Sequence, residues 1–290
     1  MDRRGFLKTF GVVGATIALP RGTMAAETPK GGNPYGVLVD TTRCVGCNTC
    51  TYACSEANGL PEPKDPDSVT DTSTDQWTVI KHYQTSRGEV TVKRQCMHCV
   101  LPACSSACLT SAMTKTAAGP VVWRGSKCMG CRYCMVSCPF DVPKFEYNSA
   151  VPRIRKCVMC ADRIRKGGSP ACVENCPQEA LTFGRRSELI EIAHKRIAEK
   201  PDQYVAHVYG EREAGGTSWM YLAGVPFDQI GFRKDMGETA YPMLTTGFLY
   251  NVPAVLTLVP PLLLALSKVS ERKADVERGA EPRHEKEDQS

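Results

Sequence analysis

The chain has 290 residues, sixteen of them cysteine, and a formal net charge of only +5. Arg3, Arg4, Lys8 and Arg21 against Asp2 put +3 of that charge in the first 25 residues, so the remainder is near neutral and lacks the basic footprint of a nucleic-acid binder. Few aromatics beside many cysteines, glycines and prolines point to a fold organised around cofactors more than around a large apolar core.

In chain order, the first element is a charged start followed by the apolar run Phe10 to Leu19, with small residues at Thr23, Ala25 and Ala26. That run is too short to span a bilayer and reads as a signal peptide over 1–25. Arg3-Arg4 before Phe6-Leu7-Lys8 resembles a twin-arginine (Tat) signal, the export route for cargo that folds before it crosses. The cysteines follow, all between Cys44 and Cys176, in four groups. The first group is Cys44, Cys47, Cys50 and Cys54. Pro61 to Asp75 reads as an inserted surface loop, and Trp77 to Tyr83 and Glu89 to Lys93 as short strands. The second group is Cys96, Cys99, Cys104 and Cys108, followed by a strand at Val121-Val122-Trp123. The third is Cys128, Cys131, Cys134 and Cys138, and the fourth Cys157, Cys160, Cys172 and Cys176. Leu181 to Phe183 reads as a further strand. Ser187 to Lys200, with Leu189, Ile190, Ala193 and Ile197 at helical spacing and Ser187 as N-cap, reads as a packing helix. It opens a helical and irregular extension over 187–240. From Thr239 to Ser267 there is no charge, which predicts a transmembrane helix over 241–267, kinked or packed at Pro253 and Pro260-Pro261. Lys268, Arg272, Lys273, Arg278 and Arg283 follow it, against only Arg233 and Lys234 in the twenty residues before Met243, so the 268–290 tail is expected in the cytoplasm.

The first and third cysteine groups have the C-x2-C-x2-C-x3-C spacing of bacterial ferredoxins. Three close thiolates on a tight loop bind three irons of a cube, and the fourth cysteine, on the helix that follows, reaches the other cluster of a pair. Gly46 and Gly130 let the loop turn closely. A disulfide scaffold and structural zinc are the competing readings. Disulfide frameworks rarely repeat such spacing, and ferredoxin-type third and fourth cysteines with Pro139 and Pro177 after the last one argue against zinc. Sixteen cysteines thus predict four [4Fe–4S] clusters in two paired units, with more than one pairing open. Arg43, Lys93, Arg94, Lys127, Arg132 and Lys156 lie beside the cluster loops and either offset cluster charge or sit as solvated surface charge. His98 reads as a hydrogen-bonding residue more than a ligand. The chain has no P-loop, no G-x-G-x-x-G and no nucleophile motif, and is expected to be non-catalytic.

The stretches Cys96-Met-His-Cys99, Cys128-Met-Gly-Cys131-Arg-Tyr-Cys134-Met-Val-Ser-Cys138-Pro-Phe and Val142-Pro-Lys-Phe resemble the four-cluster electron-transfer subunits of membrane-bound respiratory oxidoreductases, over roughly residues 37–230. The family includes the beta subunits of formate dehydrogenase and dimethyl sulfoxide reductase. The resemblance implies an α+β fold of two ferredoxin-like units, each binding two clusters, over 26–186. It pairs outer groups with outer and inner with inner. Carried over, one cluster takes Cys44, Cys47, Cys50 and Cys176, and a second Cys54, Cys157, Cys160 and Cys172. A third takes Cys96, Cys99, Cys104 and Cys138, and the fourth Cys108, Cys128, Cys131 and Cys134. Its own export signal, its own anchor and the Tyr209-Gly-Glu-Arg-Glu-Ala-Gly-Gly-Thr217…Gly224-Val-Pro-Phe227 extension are most similar to the iron–sulfur subunit of quinone-linked periplasmic [NiFe] hydrogenases. The resemblance implies a relay on the periplasmic side of the inner membrane, between a hydrogenase small subunit and an integral quinone-reacting subunit. A molybdopterin enzyme of the formate dehydrogenase, polysulfide or nitrite reductase type is the alternative partner. A redox-sensing membrane protein is the alternative class, expected to carry one labile cluster and an output domain.

Overall fold

The computed structural model describes residues 33–279; the expected signal peptide over 1–25 and residues 280–290 of the expected tail lie outside them. The fold is organised on β1 (Tyr35–Asp40), a strand whose Val37, Leu38 and Val39 are buried on both faces. Its alternating side chains serve two cores. Val37 and Val39 join Trp219, Tyr221, Phe227 and Phe232 on one face, and Leu38 joins Met220, Leu222, Leu189 and Ala193 on the other. β1 is the centre of a three-stranded sheet between β8 (Leu181–Arg185), antiparallel, and β9 (Trp219–Leu222), parallel.

The remaining strands form three two-stranded ribbons. β2 (Val79–Thr85) and β3 (Gly88–Arg94) make a hairpin in register Ile80↔Lys93. β4 (Met113–Lys115) pairs with β5 (Val121–Trp123), and β6 (Lys144–Phe145) with β7 (Ile154–Arg155). The helices between them are short except α1 (Thr49–Asn58), and most carry cysteine: α2 (Ala103–Ser106), α3 (Tyr133–Val136), α4 (Ala161–Arg165) and α5 (Ala171–Glu174). α1 packs on α5, and α2 on α3. The helices of the first and fourth cysteine groups are therefore neighbours, as are those of the second and third.

α6 (Arg186–Glu199) buries Leu189 and Ala193 as its periodicity predicts. Ser187 is not its N-cap: the helix begins at Arg186 without a side-chain cap, and Ser187 Oγ instead accepts from Asn33 Nδ2 at 2.5 Å. The 187–240 extension is not the appendage that the sequence implied. It returns β9 to the central sheet, and its Thr217 bridges to Cys99 while Ser218 N–H donates to Met97 O at 3.1 Å. That return stitches the two expected ferredoxin-like halves together, and the described residues belong to one compact unit. α7 (Tyr241–Leu244), which packs on α2, leads into α8 (Thr246–Glu277). Helix continues ten residues past the expected end at Ser267, and Pro253, Pro260 and Pro261 all lie inside it.

Candidate metal centres

The loops ahead of the helices share a backbone device. Two residues after the first cysteine of each group stands a left-handed residue: Gly46 (φ 76), His98 (φ 47), Gly130 (φ 75) and Met159 (φ 52). Two of these are glycine; the other two hold a conformation that costs roughly 1–2 kcal/mol. Turns of this kind gather backbone N–H groups into concavities suited to anions and iron–sulfur sites. Met159 N–H already points at Cys157 Sγ (3.4 Å), and Met113 N–H at Cys108 Sγ (3.3 Å).

The sixteen cysteines, all free thiols, gather into four sets. Cys44, Cys47, Cys50 and Cys176 line one cavity of about 410 Å³ of empty space. Cys54, Cys157, Cys160 and Cys172 line a second of about 280 Å³, and Cys108, Cys128, Cys131 and Cys134 another of about 320 Å³. Cys99 is pushed well above the ordinary thiol range by burial, then by the charges of Cys96, Cys138 and Cys104 around it, and these four make the remaining set. Among the described residues no three His, Cys, Asp or Glu side chains are gathered tightly enough to hold a single metal ion. A zinc site would bring its sulfurs about 2.3 Å from one centre. Three of the sets instead line cavities, with their sulfurs spread around a space and not closed on one centre.

Adjacent sets feel one another, and the order follows. Cys50 is pushed up to about 12, first by burial and also by Cys172 of the next set. Cys157 is raised by burial, by Cys54 of its own set and by Cys96 of the third. Cys104 is pushed up to about 12 by burial, by Cys96, and also by Cys134 of the fourth. The packing agrees: Cys50 clusters with Cys172 and Cys176, Cys54 and Cys157 with Cys96 and Cys138, and Cys104 with Cys134 and Cys128, which sets the four in file with Cys44's set first and Cys134's last. The two exposed cysteines, Cys47 and Cys131, belong to the two end sets.

Three ammonium groups test what these cavities hold. Lys93 is fully buried, with Nζ 3.0 Å from Gln95 Oε1 and 4.5 Å from the Trp219 ring centroid, and it lines the first cavity. Burial opposes its charge, but Cys172, Cys50 and Cys157 outweigh that and hold its pKa above the ordinary value. Lys156 is buried with Nζ on the carbonyls of Val121 and Cys157, and Lys115 Nζ lies 2.8 Å from Cys99 O. None of the three has an ion pair among the described residues. A buried, unpaired cation costs several kcal/mol. The buried thiols Cys50, Cys54, Cys104, Cys134, Cys157 and Cys172 are all raised by burial and resist ionisation unless a metal takes the charge. The two costs offset only if metal-bound thiolates occupy the cavities, so the donor set fits [4Fe–4S] groups.

Of the six basic residues singled out from sequence, only Lys93 and Lys156 play this part. Arg43 meets exposed Glu179 at 3.5 Å, Arg94 stacks on Phe232 at 4.5 Å and Arg132 on Phe145 at 5.6 Å, while Lys127 is exposed. Lys115 escaped notice; its only signal is its place on the strand after the second group. His98 Nδ1 accepts the Val121 N–H at 2.8 Å, and burial with Lys156, Lys115 and Lys93 nearby keeps its imidazole neutral.

Residues 89–186 match the family described as a 4Fe-4S dicluster domain. A protein of Nitratidesulfovibrio vulgaris strain Hildenborough is 48% identical over 291 residues, covering 95% of this chain and 79% of that one. The hydrogenase-2 operon protein HybA of Escherichia coli O157:H7 is 37% identical over 278 residues, 81% of this chain and 84% of its own. The iron–sulfur subunit of the nitrate-inducible formate dehydrogenase of Escherichia coli K12 is 36% identical over 213 residues, 68% of this chain and 72% of its own.

Proposed function

The chain belongs to the family of [4Fe–4S] electron-transfer subunits that includes HybA and the formate dehydrogenase iron–sulfur subunits, and on that premise we propose its circuit. It carries single electrons through four [4Fe–4S] clusters between a periplasmic [NiFe] hydrogenase and a membrane subunit that reacts with quinone. The observation that carries the reading is the single file of four cysteine sets between exposed Cys47 and exposed Cys131.

The clusters supply one-electron chemistry when bound. The chain holds them with Cys44, Cys47, Cys50 and Cys176; with Cys54, Cys157, Cys160 and Cys172; with Cys96, Cys99, Cys104 and Cys138; and with Cys108, Cys128, Cys131 and Cys134. Burial of the inner cysteines keeps water from the middle of the file, and the three lysines offset its negative charge. The ends meet partners. Leu109, Met129, Tyr133 and Val136 are exposed apolar residues around the Cys131 end, and α2, which carries Cys104, packs on the start of the apolar helix. We assign that end to the membrane subunit and the Cys47 end to the hydrogenase. A hydrogenase partner is favoured because similarity to HybA spans 81% of this chain, against 68% for the formate dehydrogenase subunit.

The test uses membranes carrying the whole complex with Cys176→Ala. Hydrogen-to-dye reduction should persist, because the dye takes electrons directly from the catalytic subunit, while hydrogen-to-quinone reduction falls sharply. Equal loss of both would make the chain an assembly factor. Intact hydrogen-to-quinone flow with loss of formate- or sulfur-compound-linked respiration would move it to a molybdopterin partner.

A further inference from the structure

Two indole N–H groups have no hydrogen-bond partner among the described residues, and each belongs to the wall of a cysteine cavity. Trp219 is wholly buried with Nε1 unpartnered among the described residues, and it lines the cavity of Cys54, Cys157, Cys160 and Cys172. Trp123 Nε1 is likewise buried and unpartnered, and Trp123 lines the cavity of Cys108, Cys128, Cys131 and Cys134. An indole nitrogen only donates, and a buried donor left unmade costs about 1–3 kcal/mol. The other polar side chains on that wall have partners: Asn58 Nδ2 donates to Cys54 O at 2.8 Å and lies 3.7 Å from Cys54 Sγ, and Thr78 Oγ1 accepts from Lys93 at 3.4 Å. Two orphans of the same kind, in the second and fourth cavities of the file, call for an acceptor inside each.

We propose that Trp219 and Trp123 each donate their Nε1–H to a sulfur of the cluster in their own cavity and thereby raise its reduction potential. The inference rests on the reading that these cavities hold clusters. The reasoning is electrostatic. Reduction adds negative charge to the cluster and its sulfurs, and a donor aimed at that charge binds the reduced form more strongly. Lys93, 4.5 Å from the Trp219 ring centroid, draws density from the indole and sharpens that donor. The file is thereby set to alternate, with the second and fourth positions held above the potential their ligands alone would give. Both residues are positioning groups: they touch the carrier's sulfur and transfer nothing themselves.

The experiment takes the full chain, purified anaerobically with its complex, as wild type, Trp219→Phe and Trp123→Phe. Iron and sulfide are counted first, then each cluster is titrated by electron paramagnetic resonance. Each variant should keep its iron and lower one cluster alone. At fixed poise, that cluster's reduced-to-oxidised ratio should fall about tenfold, which is ~59 mV for one electron. An exchangeable-proton coupling to the reduced cluster should vanish with it. Unmoved potentials with iron intact would overturn the proposal. Should Trp219→Phe lose iron, the wild type with ¹⁵N-labelled tryptophan decides: nitrogen coupling to two reduced clusters supports the bonds, and its absence from both refutes them. Wild-type protein without iron would refute the cluster reading itself, a different failure.

Discussion

Lys93 is the residue on which charge balance turns, because its ammonium faces Cys50 in one cavity and Cys157 and Cys172 in the next. Replacing it by methionine removes the cation and keeps the volume. With about sixteen iron and sixteen sulfide per chain retained, Lys93→Met should lower the potentials of the first two clusters, and Lys93→Arg should restore them in part. Redox titration checks this, and unchanged potentials in the methionine variant would return Lys93 to a packing role. The ligands were legible at this scale because cysteine spacing is local. The counter-charges were less so. Six basic residues near the loops could be written down from sequence, but burial decides which of them matter, and burial is a property of the folded neighbourhood. Lys115, separated from the second group by a short strand, gave no pattern to read.

Among the elements, β2–β3, β5, β8 and α6 follow from alternation and helical period within a residue or two at most ends. β9 does not. Its four residues follow a glycine-rich stretch, and its parallel partner β1 lies some 180 residues upstream, so nothing local marks it. What makes β9 possible is the tight return before it. Gly210 sits at φ 92, and a Cβ there would meet the Trp219 carbonyl oxygen at 2.6 Å. Gly210→Ala should therefore cost about 2–3 kcal/mol, strain and clash together, and pull on the strand that carries Trp219. Gly59 supplies the contrast: at φ 60 with nothing within 4 Å of its Cβ position, Gly59→Ala should cost only about 1 kcal/mol. Thermal unfolding of the cluster-loaded protein separates the two. Equal midpoints would mean that the extension is held by something other than this turn.

The whole molecule couples a cofactor-filled body to one long apolar helix, and the last prediction concerns which side of the membrane each occupies. Among the described residues only α7–α8, Tyr241–Glu277, is long and apolar enough to cross a bilayer, and its apolar side chains pack against none of the body's core. About 20 residues suffice to span the hydrocarbon, so the last turns of α8, from Lys268, extend beyond it as a charged helical stem. Basic residues are retained on the cytoplasmic side, and six lysines and arginines after Ser267 against two in the twenty residues before Tyr241 predict a body on the outer side. Three prolines inside the span each remove a backbone donor, a loss tolerated in lipid where a neighbouring helix or a side chain compensates. Truncation before Tyr241 should accordingly leave the iron content unchanged, since every cysteine lies upstream, and weaken attachment to the membrane subunit. Protease added outside spheroplasts should digest the body and spare an epitope placed after Lys268. An epitope lost to external protease while the body survives would invert the topology, and the assignment of the Cys131 end to a membrane partner would have to be argued again from the opposite face.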